Sequence, residues 1–352
     1  MFSNNRRILS CIRVAPCLFL RHASNEGIVK KKVQEVGHKV SKEIKSYALT
    51  KYVDYVKNYD KILEVRFPRA MKVYRVFSVG IKDLYQDTKT FVKVKSLIRN
   101  AKKSGGGIHS LGIKEVDIFY RMPREMLKVS PVLLISALPF ANYIIFPLAY
   151  MLPKQLLSTH FWSLQQRHDF ALQDHKKCVQ HFRPIFRCMQ ARIPSVSDDT
   201  NLQVKLSKIL SKLASGVHPT VEEILEVKIL FQLEPFHLNC LYPRHKNQLL
   251  KVHGMHTLWS RRRRLSQRAE EILNKDKVLG REGVTSLSLE ELRSACFTRG
   301  LNPSNMRTDD MVKYLEQWIA VSVHVDPRTY SLVLHCPILL AYNQPTNRVL
   351  IQ

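Results

Sequence analysis

Polar and apolar positions recur at helical spacing along most of this chain. One stretch breaks the pattern: Val129 to Leu152, VSPVLLISALPFANYIIFPLAYML, holds no charged side chain. At about 1.5 Å per helical residue the run reaches roughly 36 Å, enough to cross a hydrocarbon core of about 30 Å with some tilt. Lys128 and Lys154 bracket it, and Tyr143 and Tyr150 suit an interface. The pattern predicts a single membrane helix over 129–152. A buried core helix is the competing reading, but such helices seldom run this far without a charge. Pro131, Pro139 and Pro147 interrupt the run. Lipid cannot satisfy the backbone groups the later two set free, so a neighbouring helix, water or a local distortion must do so.

Upstream, Val29, Val33, Val36, Val40 and Ile44 are spaced by three or four and predict a helix over 29–66, interrupted at Pro68. A second helix follows, with Phe77, Leu84, Phe91 and Ile98 at intervals of seven and Ile81 between them. Thr88 and Lys95 spoil the alternate seam positions, so this helix is expected to pack against a partner helix or lie on a membrane surface. Ser104-Gly105-Gly106-Gly107 makes a joint before a membrane-proximal helix.

Beyond the apolar run, a long helical pattern covers 155–192, and shorter ones cover 201–215, 220–232, 245–253, 256–279, 288–299 and 307–321. Pro219, Pro235, Pro243 and Pro303 punctuate them, and Gly300 suits a helix C-terminus. No alternating strand pattern stands out. The fold class is all-α: a single-pass membrane helix followed by a helical domain. The tail from Thr329 to Tyr342 is apolar, broken by Pro337 and too short to span a bilayer, so it is expected to pack back on the domain.

Charge changes the picture next. The formal net charge is +27, with 28 Lys and Arg against 11 Asp and Glu over 1–128, and 28 against 18 over 153–352. Such a surface attracts anionic headgroups or nucleic acid. The first residues carry Arg6, Arg7, Arg13 and Arg21 with no acid before Glu26, interleaved with Ile8, Leu9, Ile12, Leu18, Phe19 and Leu20. That composition is that of a mitochondrial presequence over 1–24. The seven cysteines form no C-x-x-C pair and imply no disulfide framework. The resulting map is a targeting sequence over 1–24, a basic amphipathic helical region over 25–103, a linker and membrane-proximal helix over 104–128, the membrane helix over 129–152, the helical domain over 153–325 and the tail over 326–352.

Candidate chemistry is sparse. Arg261, Arg262, Arg263 and Arg264, with Arg268, form the densest basic cluster. Four consecutive arginines point around nearly the whole of a helix, so some must meet solvent or a polyanion such as ribosomal RNA. Nuclear localisation is a further reading, and pairing with Glu270 and Glu271 the plain structural one. His168, His175, Cys178 and His181 lie on one predicted helix, yet a single helix rarely supplies a full tetrahedral set. No phosphate-cradling glycine loop, nucleophile elbow or calcium loop is present, so no enzyme and no cofactor are inferred.

Two blocks taken together resemble the Letm family, the leucine-zipper and EF-hand-containing transmembrane proteins of the mitochondrial inner membrane. The first is Leu138-Pro139-Phe140-Ala141-Asn142-Tyr143-Ile144-Ile145-Phe146-Pro147, continuing to Met151-Leu152-Pro153 and Ser158-Thr159-His160-Phe161. The second is Arg281-Glu282-Gly283-Val284, then Leu287 to Cys296, then Arg299-Gly300-Leu301-Asn302-Pro303. The resemblance implies a single-pass inner-membrane protein with a matrix-facing, 14-3-3-like helical domain that docks mitochondrial ribosomes or assembly factors and supports mitochondrial structure and respiratory function. The family's link to cation/proton exchange gives an alternative, an exchanger subunit, which requires an oligomer because one kinked helix cannot enclose a pore. A nucleic-acid or chromatin partner through Arg261–Arg264 is a third. This chain departs from the family where Asn142 replaces a glutamate, since asparagine cannot change charge, and where the EF-hand is missing. Pro139, Asn142 and Pro147 are the membrane-segment residues of interest.

Topology gives a conflict. Residues 109–128 hold four Lys and Arg against two in 153–172, which weakly places the N-terminal side in the matrix. The resemblance places the C-terminal side there, and that is the orientation expected.

Overall fold

A computed structural model describes residues 68–103, 111–136, 148–149, 151–196 and 200–351. The targeting sequence, the helix expected over 29–66, and Pro139, Asn142 and Pro147 lie outside the described residues. By its contacts the chain divides into two units, Met1–Tyr74 and Arg75–Gln352, and the helical domain belongs to the second.

Among the described residues every regular element is helical, as the all-α reading expects. Helix α1 spans Pro68–Lys103 and α2 spans Ile113–Ser136. Short α3, Pro153–Leu156, leads through a 3-10 turn at Thr159–Phe161 into α4, Leu164–Val179, and α5, Phe182–Gln190. Then come α6, Thr200–Ala214, α7, Val221–Glu226, α8, Ile229–Gln232, and α9, Pro243–Val252. Long α10, Arg261–Glu282, is followed by α11, Leu289–Thr298, α12, Thr308–Ser322, α13, Tyr330–Ala341, and α14, Pro345–Arg348.

Local chemistry starts these helices where they start. Ser163, Thr220 and Ser288 each form a capping box with the Gln or Glu three residues on, satisfying two first-turn donors apiece. The expected helix over 155–192 is broken twice, because the Ser163 cap restarts it at Leu164 and the turn at Gln180–His181 divides α4 from α5. Helix α10 begins five residues later than 256 because Ser260 stands in the left-handed region at φ 54°.

The largest departure is the tail. All eleven residues Ser331–Ala341 are buried, so α13 is a central helix packed against α5, α8, α10 and α12 rather than an appendage. A helix apolar on every side has no stable place but the interior. Gly300, at φ +87°, ends the turn after α11, and a Cβ there would lie 2.7 Å from Pro337 of α13. Both the conformation and the contact demand glycine.

Helix α1 docks on α2 and on the 3-10 turn within the chain, so its expected partner is intramolecular. Its seam uses Gly80, Asp87 and Val94 between Leu84, Phe91 and Ile98, three residues before each heptad position and not the four after that selected Ile81, Thr88 and Lys95; Ile81 is exposed. Val94 and Ile98 share a dry cluster with Leu111, Val116 and Val278, while the Phe91 and Phe119 rings stack at 6.1 Å.

The charge-free run also differs from expectation. Helix α2 passes through Lys128 without a break and carries Pro123 and Pro131 inside it. Among the described residues no helix is long and apolar enough to cross a membrane. One straight helix over 129–152 would separate its flanks by roughly 36 Å. Instead the Thr159 N–H donates to Glu125 Oε2 at 3.0 Å, and the Lys128 ammonium sits 4.4 Å from the Trp162 ring centroid.

Candidate functional site

The arginine cluster caps the N-terminal end of α10, and the structure divides its members. Arg264 reaches back to His256, donating to Nδ1 at 2.8 Å and to the main-chain oxygen. Arg261 Nε donates to the Thr257 oxygen at 3.1 Å. These two fasten the loop 256–260 onto the helix. Arg262 and Arg263 are exposed and form no ion pair among the described residues. Beside them Trp259 is 86% exposed, and Leu258 is exposed as well. An open depression lies here, lined by Pro243, Lys246, Thr257, Leu258, Trp259 and the first two arginines, with no acid in its lining. Ser260 supplies no side-chain cap, so the first-turn amides of α10 add positive potential to the arginines. Two free guanidinium groups and an open indole face suit phosphate contact with ring stacking.

Arg268 does not share this face. Its side chain is turned inward, 14% exposed, with Nη1 3.1 Å from Glu271 Oε1, so the pairing set against polyanion contact holds for this residue. Lys275 lies 3.4 Å from the same oxygen, and Arg124 of α2 reaches Oε2. Burial alone would raise the Glu271 carboxyl, but Arg268, Lys275 and Arg124 hold it down at about 2. Around this carboxylate α2 runs antiparallel to α10: Lys275 also meets Asp117 at 2.9 Å, Asn274 donates to the Tyr120 hydroxyl at 2.7 Å, and Arg281 donates to the Leu111 oxygen at 2.6 Å. Deeper in, Asp276 takes Arg299 on one oxygen and the Trp318 indole N–H at 2.8 Å on the other, which ties α10 to α11 and α12.

The histidine–cysteine row on α4 is not assembled into a ligand set. His175 is buried against Asn347 at 2.9 Å, while His168 lies 3.3 Å from Ser304 Oγ. Burial pushes the Cys178 thiol up to about 11, away from thiolate chemistry. No group of three metal-ligating side chains comes together among the described residues, and the described cysteines are free.

Two constellations have no signal in the local pattern. His245 and His335 meet through their Nε2 atoms at 2.8 Å inside the core, among Phe231 and Phe236. His335 Nδ1 lies 2.7 Å from the Ser331 oxygen and donates to it, which leaves its Nε2 to accept from His245. The second is Asp87, His160 and Ser158, with His160 Nε2 2.9 Å from Asp87 and its Nδ1 3.1 Å from Ser158 Oγ. Its composition is that of a hydrolytic triad, but Ser158 is wholly buried and out of a substrate's reach. Asp87 also binds Arg121 of α2, and the group acts as a clamp between α1, α2 and the turn before α4.

A family model described as LETM1-like, RBD matches residues 111–339. The match opens just before α2 and closes inside α13. LETM1 domain-containing protein 1 of Xenopus tropicalis is 29% identical over 348 residues, covering 97% of this chain and 93% of that protein. The human protein of that name is 30% identical over 305 residues, 86% and 84% of the two chains, and the Bos taurus protein 29% over 310 residues, 87% and 85%. No solved structure matches.

Proposed function

Since this chain belongs to the LETM1-like RBD family, we propose that it is a non-enzymatic protein of the mitochondrial inner membrane, attached through the apolar run 129–152. Its helical domain lies in the matrix and docks mitochondrial ribosomes or assembly factors, in support of mitochondrial structure and respiratory function. One observation carries the docking part. The N-terminal end of α10 presents Arg262, Arg263 and an open Trp259 beside an acid-free depression. An exposed tryptophan next to unpaired arginines has no use in the fold itself, and it suits a phosphate-rich partner with bases to stack.

Co-sedimentation of the full chain with mitochondrial ribosomes over a salt series tests this reading. Binding that weakens steeply with salt, and that R262E/R263E abolishes, is the expected result. No binding at low salt would end the ribosome part. The residues on which a cation-exchange reading rests, Pro139, Asn142 and Pro147, lie outside the described residues. A chromatin reading would rest on the arginines already assigned to docking.

A further inference from the structure

We propose that the apolar run 129–152 enters and leaves the bilayer on the same face, as a re-entrant anchor, instead of crossing it once. This rests on the reading that the run is the membrane attachment, and it says how the attachment is made.

The two ends of the run carry the inference. Lys128 is the last charge before it and Lys154 the first after it. The Lys128 ammonium lies 4.4 Å from the Trp162 ring centroid and the Lys154 ammonium 5.5 Å from that of Phe170, and the two rings meet edge to face at 4.8 Å. Those three steps cap the separation of the two ammonium groups at about half of the roughly 30 Å hydrocarbon core. A crossing helix would hold them more than a whole core apart.

Other contacts repeat the constraint. Val129, the first residue of the run, belongs to a dry cluster with Ala149, Leu157 and Phe161. On one helix Val129 and Ala149 would be about 30 Å apart. Glu125 binds the Thr159 amide. Helix α1 joins the same place, with Asp87 bridging Arg121 and His160. A single crossing would have to break all of these at once.

The surface beside this junction suits a headgroup boundary. Leu127, Leu134 and Met151 are 75%, 73% and 76% exposed, with Leu133, Ile135, Leu148 and Leu152 exposed around them. Lysines stacked on Trp162 and Phe170 form a cationic, aromatic collar at the base of these apolar chains, the pattern of side chains that sit at an interface. In helical form a run of 24 residues that returns gives two legs of about 18 Å, short of the roughly 30 Å core. No charge has to pass through lipid, and the basic residues of both flanks face the same headgroups.

The test uses the full chain in isolated mitochondria. Lys114→Cys on α2 and Lys177→Cys on α4 place a thiol on either flank at side chains 77% and 75% exposed. Each variant is treated in mitoplasts with a membrane-impermeant maleimide, and labelling is compared with the parent chain before and after detergent. Carbonate extraction runs alongside. Equal labelling at the two positions, with the chain resisting carbonate, is expected. Labelling at one position only, in a carbonate-resistant chain, overturns the re-entrant arrangement and leaves the membrane attachment standing. A chain released by carbonate overturns the attachment and this inference with it.

Discussion

Asn347 and His175, in α14 and α4, meet at 2.9 Å inside the domain. The same Asn347 oxygen accepts from the Asn302 amide at 3.0 Å, and its Nδ2 donates to the Gly300 and Ala341 oxygens at 2.9 and 2.8 Å. All four partners of one buried amide are protein groups on four segments. Asn347→Ala would strand them without water, and each stranded group costs about 1–3 kcal/mol, so a loss of roughly 2–4 kcal/mol is expected. Urea denaturation measures it. A loss under 1 kcal/mol would show that these bonds do not hold the segments together.

Glu271 and Arg124 separate a buried charge from an exposed one. Glu271→Gln leaves Arg268 and Lys275 without their carboxylate, a change of about 3–5 kcal/mol for a buried pair. Arg124→Ala removes a side chain that is 67% exposed and should cost under about 1 kcal/mol. Equal losses in the two variants would contradict this ranking.

Acid should unfold the domain in two stages. Burial lowers His335 to about 4 and His253 to about 3, and it lowers His245 well below its ordinary value with the neighbouring His335 adding to the effect. The unfolded chain binds these protons near pH 6.5 and the folded chain does not, so stability falls as pH drops from about 6.5 toward 4. Glu271, held down at about 2, contributes stability that is complete above about pH 4.5 and is lost as pH falls toward 2. Denaturation midpoints that stay flat between pH 6.5 and 4.5 would refute the first stage.

Gly80→Ala should loosen α1. Its Cβ would stand 2.6 Å from the Phe161 ring and 2.9 Å from the His160 main-chain oxygen, and the backbone atom cannot yield. Limited proteolysis of the full chain should then cut within α1 faster than in the parent. Unchanged protection would mean that α1 does not need this close approach.

Reversing Arg262 and Arg263 should leave stability within about 0.5 kcal/mol, because neither touches the fold. It should lower the slope of log affinity against log salt for single-stranded RNA by about 2, since two phosphate contacts vanish. A variant with the parent's slope would place the polyanion contact elsewhere.

Helix periodicity is local, so α6, α7, α9, α11 and α12 were legible from spacing and punctuation alone. The row Arg261–Arg264 also announced itself, though not which members stay free; the signal for Arg268 was Glu271 three residues on. What was not legible depends on distant partners. The α13 pattern has no polar face, and composition cannot say whether such a helix covers a core or fills it. The α1 seam was misplaced because Gly80 and Asp87 look wrong for a core until Phe161, His160 and Arg121 are seen against them. No spacing rule reports that Lys128 meets Trp162.

The central position of α13 sets an order in time. A chain is made from its N-terminus, so the helix that α5, α8, α10 and α12 enclose is among the last to emerge. Until then those four present apolar faces to an empty middle, and the half-made domain is a natural client for chaperones. A stop codon anywhere before Tyr330 would leave a chain that keeps both its membrane run and its arginines yet lacks the piece around which the domain closes.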